Sequence, residues 1–209
     1  KDTIFFARLY NAGQVCTSSK RFIVVGEENY KKFLDMVVET FKTAKWGDPM
    51  DPETTLAPLS SAEAKEEVLG QIKLAADNGA RVVYGNKPID HPGNFVFPTV
   101  LTDITKENPI YNQEIFGPVA SIYKVDTEEE AIALANDSSY GLGGTVFSKD
   151  LEHAKAVAAK IETGMTFINS GWSSYPEVPF GGIKNSGYGR ELSNLGFDAF
   201  VNEHLVFIP

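Results

Sequence analysis

Short runs of β-branched and aromatic residues alternating with longer amphipathic stretches constrain this chain more than any other feature. The runs at 22–25, 81–84, 95–100, 120–125, 144–147 and 165–169 read as strands. Between them, Tyr30, Phe33, Leu34, Val37, Val38, Phe41 and Ala44 recur at helical spacing until Gly47 and Pro49 stop the pattern. Ser60 followed by Glu63 reads as a capping box opening a second helix through Ala64, Val68, Ile72 and Ala75, which Asn78 and Gly79 end. Thr127 and Glu130 open a third in the same way, and a fourth is predicted over 151–161. Strands that alternate with helices need crossover connections. The expected fold class is therefore α/β: a largely parallel sheet with helices on both faces and functional loops at the carboxyl ends of its strands.

At 209 residues and 43% hydrophobic content the chain can build a single-domain core. Its 19 Lys and Arg against 28 Asp and Glu leave a net charge of −9, a field that repels nucleic-acid phosphates and anionic membrane surfaces. No apolar run approaches the ~20 residues of a membrane span, and the amino-terminal residues lack a signal-peptide pattern, so the expectation is a cytoplasmic protein without nucleic-acid or membrane partners. A single cysteine excludes an intrachain disulfide, and His91, His153 and His204 are scattered, so no metal site is expected.

That cysteine, Cys16, sits in Asn11-Ala12-Gly13-Gln14-Val15-Cys16-Thr17-Ser18-Ser19-Lys20. An isolated Cys is commonly an inert core residue. Here Gly13 permits a tight turn, and a helix opening over 17–20 would place the thiol at a helix amino terminus, where the thiolate is favoured. Both readings of Cys16 stand on local grounds. Lys20, four residues on, can face Cys16 across one helical side or point to solvent as lysines usually do.

The Gly13-Gln14-Val15-Cys16 turn resembles the nucleophile segment of the aldehyde dehydrogenase superfamily. Three further stretches follow in the family's order: Gln113-Glu114-Ile115-Phe116-Gly117-Pro118-Val119, then Tyr140-Gly141-Leu142-Gly143-Gly144-Thr145-Val146-Phe147, then Pro179-Phe180-Gly181-Gly182-Ile183-Lys184 continuing to Glu191. The resemblance implies that Cys16 is the catalytic nucleophile, adding to an aldehyde to give a thiohemiacetal and then a thioester. It implies that the Cys16 amide is one oxyanion donor, that Glu114 hydrogen-bonds the nicotinamide ribose of NAD or NADP, and that Phe116 packs near the nicotinamide. It also implies a substrate mouth over 170–178, with Trp172 and Tyr175, and a terminal strand over 200–208 serving homo-oligomer assembly. The corresponding domain reading is a catalytic domain over 1–199 and an oligomerisation strand over 200–209.

The family's general base, its asparagine oxyanion donor and its nucleotide-binding half all precede the nucleophile, whereas only fifteen residues precede Cys16 and the first is Lys1. The expectation is a catalytic-domain fragment that does not oxidise aldehydes alone. The lone Gly187-x-Gly189 pair is not a dinucleotide fingerprint. Within the family the wording is similar to bacterial succinate-semialdehyde enzymes. Where some of those carry an arginine that grips the substrate carboxylate, this chain has Tyr10, with Arg8 two positions earlier; Ser18 stands where some carry a second, regulatory cysteine. Two other functions remain: a non-catalytic assembly or binding domain, and a cysteine hydrolase, which would need a histidine beside Cys16.

Overall fold

The computed structural model describes residues 2–209, which fall into two compact units, the first ending at Asp137 and the second spanning Ser138–Pro209.

The first unit opens with helix α1 (Asp2–Leu9), which the sequence patterns did not predict, and a tight 3₁₀ segment, Tyr10–Gly13. Strand β1 (Arg21–Val25) and helix α2 (Glu27–Phe41) follow, the helix burying Tyr30, Val37 and Phe41 as its periodicity demands. Helix α3 (Ala62–Asp77) buries Val68, Ile72 and Ala75. Its cap is Ser61, whose hydroxyl accepts from the Ala64 amide at 3.1 Å, one residue later than expected. Ser60 is committed elsewhere, its amide donating to Gln14 Oε1 at 2.8 Å. Strands β2 (Arg81–Tyr84), β3 (Thr99–Thr102) and β4 (Val119–Val125) and helix α4 (Glu128–Asn136) complete the unit. The Thr127–Glu130 capping box forms as predicted.

The four strands make one sheet in the order β1-β4-β3-β2. β4 runs parallel to both β1 and β3, whereas β2 and β3 are antiparallel. The antiparallel pair follows from the connection: the chain between β2 and β3 contains no helix to carry it across the sheet, and Gly85 (φ +89), Pro88, Pro92 and Gly93 let it fold back. All four β3 residues and the first five of β4 are buried, so both faces of these strands are covered. Residues 95–98, expected to begin a strand, carry no ladder, and Pro98 cannot donate to one.

In the second unit, β6 (Gly143–Val146) pairs in parallel with β7 (Met165–Ile168) across helix α5 (Leu151–Ala158). The two-residue strands β5 (Tyr140–Gly141) and β8 (Ile183–Lys184) pair antiparallel. Among the described residues the strands form three sheets rather than the one expected, and the four-stranded sheet is mixed but mostly parallel, as its largely parallel reading anticipated. After a 3₁₀ segment, Asn194–Phe200, the chain carries no regular secondary structure, and the terminal run expected to be an oligomerisation strand forms no strand in this chain. Leu205, Phe207 and Ile208 are exposed.

Candidate active site

The Cys16 turn is built from unusual backbone. Asn11, Ala12 and Gly13 lie consecutively in the left-handed region, at φ 50°, 54° and 76°. Such geometry costs a non-glycine residue about 1–2 kcal/mol and persists only where surroundings impose it. Gln14 supplies part of that imposition: its side-chain amide donates to Asn11 O at 3.1 Å, and its Oε1 accepts from Ser60 N. Gly13 supplies the rest by lying directly against the Glu114–Gly117 loop. A Cβ at Gly13 would overlap the Gly117 carbonyl oxygen and stand 2.7 Å from its carbon. On its other side Gly117 is packed by Val68 of α3, whose Cγ2 would lie 2.8 Å from a Gly117 Cβ. Gly13→Ala should therefore cost about 2–4 kcal/mol, combining left-handed strain with backbone overlap; an unchanged denaturation midpoint would contradict this packing.

Arg8 is the second brace, entirely buried. From the last turn of α1 its guanidinium donates to Val119 O, Ile115 O at 2.8 Å and Gly117 O, and to Ser18 Oγ at 2.9 Å. Ser18 in turn donates to Ala7 O at 2.8 Å. One side chain thus ties the residues after Cys16 to both ends of the loop that carries Glu114. Burial pushes Arg8 down to about 9, against the pull of the Glu114 charge, which leaves it cationic at neutral pH. A guanidinium consumed in this way does not reach a substrate carboxylate, so the arginine offset by two positions is a structural residue. Ser18, which closes off a regulatory disulfide, is its partner.

Cys16 itself is exposed, against the inert-core reading. No helix opens after it: the chain turns once at Cys16 and Thr17, closed by the Ser18 amide on Val15 O, and enters β1 at Arg21, leaving too few residues for a helix. The helix-terminus argument for a favoured thiolate therefore does not apply. Among the described residues no hydrogen bond engages the Cys16 amide.

Lys20 is not a solvent lysine. Its Nζ donates to Val15 O, Cys16 O and Glu114 Oε1, each at 2.8 Å, and lies 5.5 Å from the centroid of the Phe116 ring. Burial pulls it below the ordinary lysine range, opposed by its bond to Glu114 and by the attraction of a thiolate at Cys16. The neighbouring Arg21 takes the opposite direction, donating to Leu134 O and Ala135 O at the carboxyl end of α4.

The structure therefore brings Cys16, Glu114 and Phe116 together in the first unit, with Glu114 and Phe116 both exposed. The 170–178 stretch belongs to the second unit, where Ser173, Tyr175 and Val178 line a cavity of about 160 Å³ with Met165, Phe167 and Phe180. Among the described residues no group of three or more His, Cys, Asp or Glu converges to hold a metal, and no helix is long and apolar enough to cross a membrane.

The chain that places an exposed thiol on this braced turn, against a loop presenting a carboxylate and an aromatic ring, belongs to the aldehyde dehydrogenase family, whose family model matches residues 2–206. It is 50% identical over 199 residues to a succinate-semialdehyde dehydrogenase (NADP+) of Deinococcus radiodurans, a match covering 95% of this chain and 42% of that protein. The crystal structure of succinic semialdehyde dehydrogenase from Streptococcus pyogenes in complex with NADP+ superposes with a TM-score of 0.97 at 71% identity, covering 100% of this chain and 46% of that one. Betaine aldehyde dehydrogenase of Staphylococcus aureus in complex with NAD+ matches at 36% identity and a TM-score of 0.90, over 95% and 40% of the two chains. The chain thus spans less than half the length of these relatives.

Proposed function

We propose that these 209 residues form the nucleophile-bearing part of an NAD(P)-dependent aldehyde dehydrogenase that oxidises succinate semialdehyde to its acid. The observation that carries this reading is the packing of the exposed Cys16 turn onto the Glu114–Gly117 loop through Gly13, Arg8 and Lys20. The Cys16 thiolate adds to the aldehyde carbon, forming a C–S bond and sending the carbonyl π electrons to oxygen. The Cys16 amide is one donor to that oxyanion. With sulfur attached, the tetrahedral carbon can release hydride and become a thioester; water then adds to the acyl carbon, the C–S bond breaks, and the thiol and the carboxylic acid are released.

The residues fit a nicotinamide nucleotide. Glu114 has Oε1 fixed by Lys20, leaving Oε2 to accept from a ribose hydroxyl, and the half-exposed Phe116 ring offers an apolar face. When bound, such a nucleotide supplies the hydride acceptor. The exposed run at 200–208, with Phe207 78% and Ile208 83% accessible, supports assembly of a homo-oligomer through that segment as an added strand.

Measured in an enzyme of the relatives' full length carrying this sequence, succinate semialdehyde should drive NADP+ or NAD+ reduction, and the 209-residue chain alone should not. Glu114→Gln should slow hydride transfer in a single turnover by roughly tenfold or more through lost positioning. Unchanged hydride transfer with slowed acid release would instead make Glu114 a base and overturn its assignment.

A further inference from the structure

Among the described residues Lys20 touches the Cys16 turn, Glu114 and Phe116 at once, and no bond made or broken in the reaction outlined above involves it. Its three ammonium hydrogens are matched by three acceptors at 2.8 Å, two carbonyls of the Cys16 turn and one oxygen of Glu114, while its charge lies near the Phe116 ring. A lysine on a protein surface gains little from a single exposed carboxylate and loses rotamer freedom to hold it. Here the side chain is only 18% accessible, and the two carbonyls fix where the ammonium stands before Glu114 joins it. The carboxylate is therefore held to the nucleophile's own backbone by a rigid cation.

We propose that Lys20 is a positioning residue that couples the Cys16 thiol to the Glu114 carboxylate, so that a change in either group is felt by the other. This deepens the reading of Cys16 and Glu114 given above and rests on it. The charged groups around the ammonium are Glu114, Arg8 and Cys16. Glu114 draws on the positive charge that would otherwise favour a thiolate. The coupling has a sign: when Glu114 engages a ribose hydroxyl, its hold on the ammonium weakens and the cation's attraction for the Cys16 thiolate grows. Occupation of the nucleotide site would thus make the nucleophile more reactive through a single lysine.

Cys16 is the only cysteine in the chain, so alkylation by iodoacetamide reports on it alone. In the 209-residue chain at neutral pH, Lys20→Met should slow alkylation by about threefold to tenfold, the size expected from removing one nearby partly buried charge. Lys20→Arg, which keeps the charge, should stay nearer the parent rate. Glu114→Gln, whose side chain makes no bond to Cys16, should speed alkylation about twofold to threefold when Lys20 is present. The same change should do nothing when Lys20 is methionine. A Glu114→Gln effect that is absent, or equal in both backgrounds, overturns the coupling, and so does a Lys20→Met rate equal to the parent's. Should Lys20→Met fail to fold, Lys20→Gln, which removes the charge but keeps a donor, takes its place: acceleration by Glu114→Gln that disappears in the Lys20→Gln background supports the coupling, and acceleration equal to that in the Lys20 background overturns it. These rates do not involve turnover, so the aldehyde dehydrogenase reading can fail through Cys16→Ser retaining activity while the coupling stands.

Discussion

Arg8→Met should lower the stability of this chain by about 2–4 kcal/mol and loosen the Cys16 turn at the same time. The guanidinium is entirely buried and donates to three carbonyls and one hydroxyl, at positions 119, 115, 117 and 18. Removing it leaves several of these acceptors without a donor, at about 1–3 kcal/mol for each that water cannot reach. Against this stands the relief of desolvating one cation, several kcal/mol in an apolar interior. The acceptors win because they lie in an irregular loop: Ile115 O has no backbone donor to fall back on, and the Gly117 carbonyl has only the Val119 amide. Urea denaturation gives the stability change, and alkylation of Cys16 reports the turn. A variant as stable as the parent, with the same alkylation rate, would show that Gly13 and Gln14 hold the loops together without Arg8.

Cys16→Ser has the largest expected effect on activity. In an enzyme of the relatives' length carrying this sequence, aldehyde oxidation should fall by about 10⁴-fold or more, since a serine hydroxyl at neutral pH is a far weaker nucleophile than a thiolate and these 209 residues hold no second thiol to replace it. Nucleotide affinity and thermal stability should be unchanged, because Cys16 is exposed and its side chain fills no cavity. Retention of more than a few per cent of turnover would remove Cys16 from the chemistry.

What the sequence disclosed about this fold depended on how far apart the deciding residues lie. The Thr127–Glu130 capping box and the apolar stripe of α2 are local, and both form as read. The cap of α3 moved from Ser60 to Ser61 because the Ser60 amide is taken by Gln14, 46 residues away, a contact no local pattern records. The largely parallel character of the sheet was legible, since β4 runs parallel to β1 and β3; the exception at β2 was not, because alternation implies parallel strands only where a helix makes the crossover, and between β2 and β3 none does.

At the site, the motif turn of Cys16 and the loop of Glu114 and Phe116 were visible as strings, and the chain brings them together. Lys20 and Arg8 were not visible as braces. Spacing alone offered Lys20 a helix that does not form, whereas its partners are the carbonyls just behind it and a carboxylate 94 residues ahead. Arg8 was noted only for its offset from the position of a substrate-gripping arginine, because a buried arginine without a carboxylate is uncommon and its acceptors, apart from Ser18, lie 107 to 111 residues away. A basic residue within a helical stretch as apolar as Ile4-Phe5-Phe6-Ala7-Arg8-Leu9 was the one available signal.

If Cys16 carries the acyl group, mass spectrometry of the quenched reaction will find it there. The enzyme of full length carrying this sequence is mixed with succinate semialdehyde and NADP+, stopped in acid within the first turnover, and digested. A succinyl adduct is expected on the peptide containing Cys16, labile to hydroxylamine as a thioester is, and absent when the nucleotide is omitted. Sustained turnover with the Cys16 peptide unmodified, or an adduct confined to another residue, would contradict it.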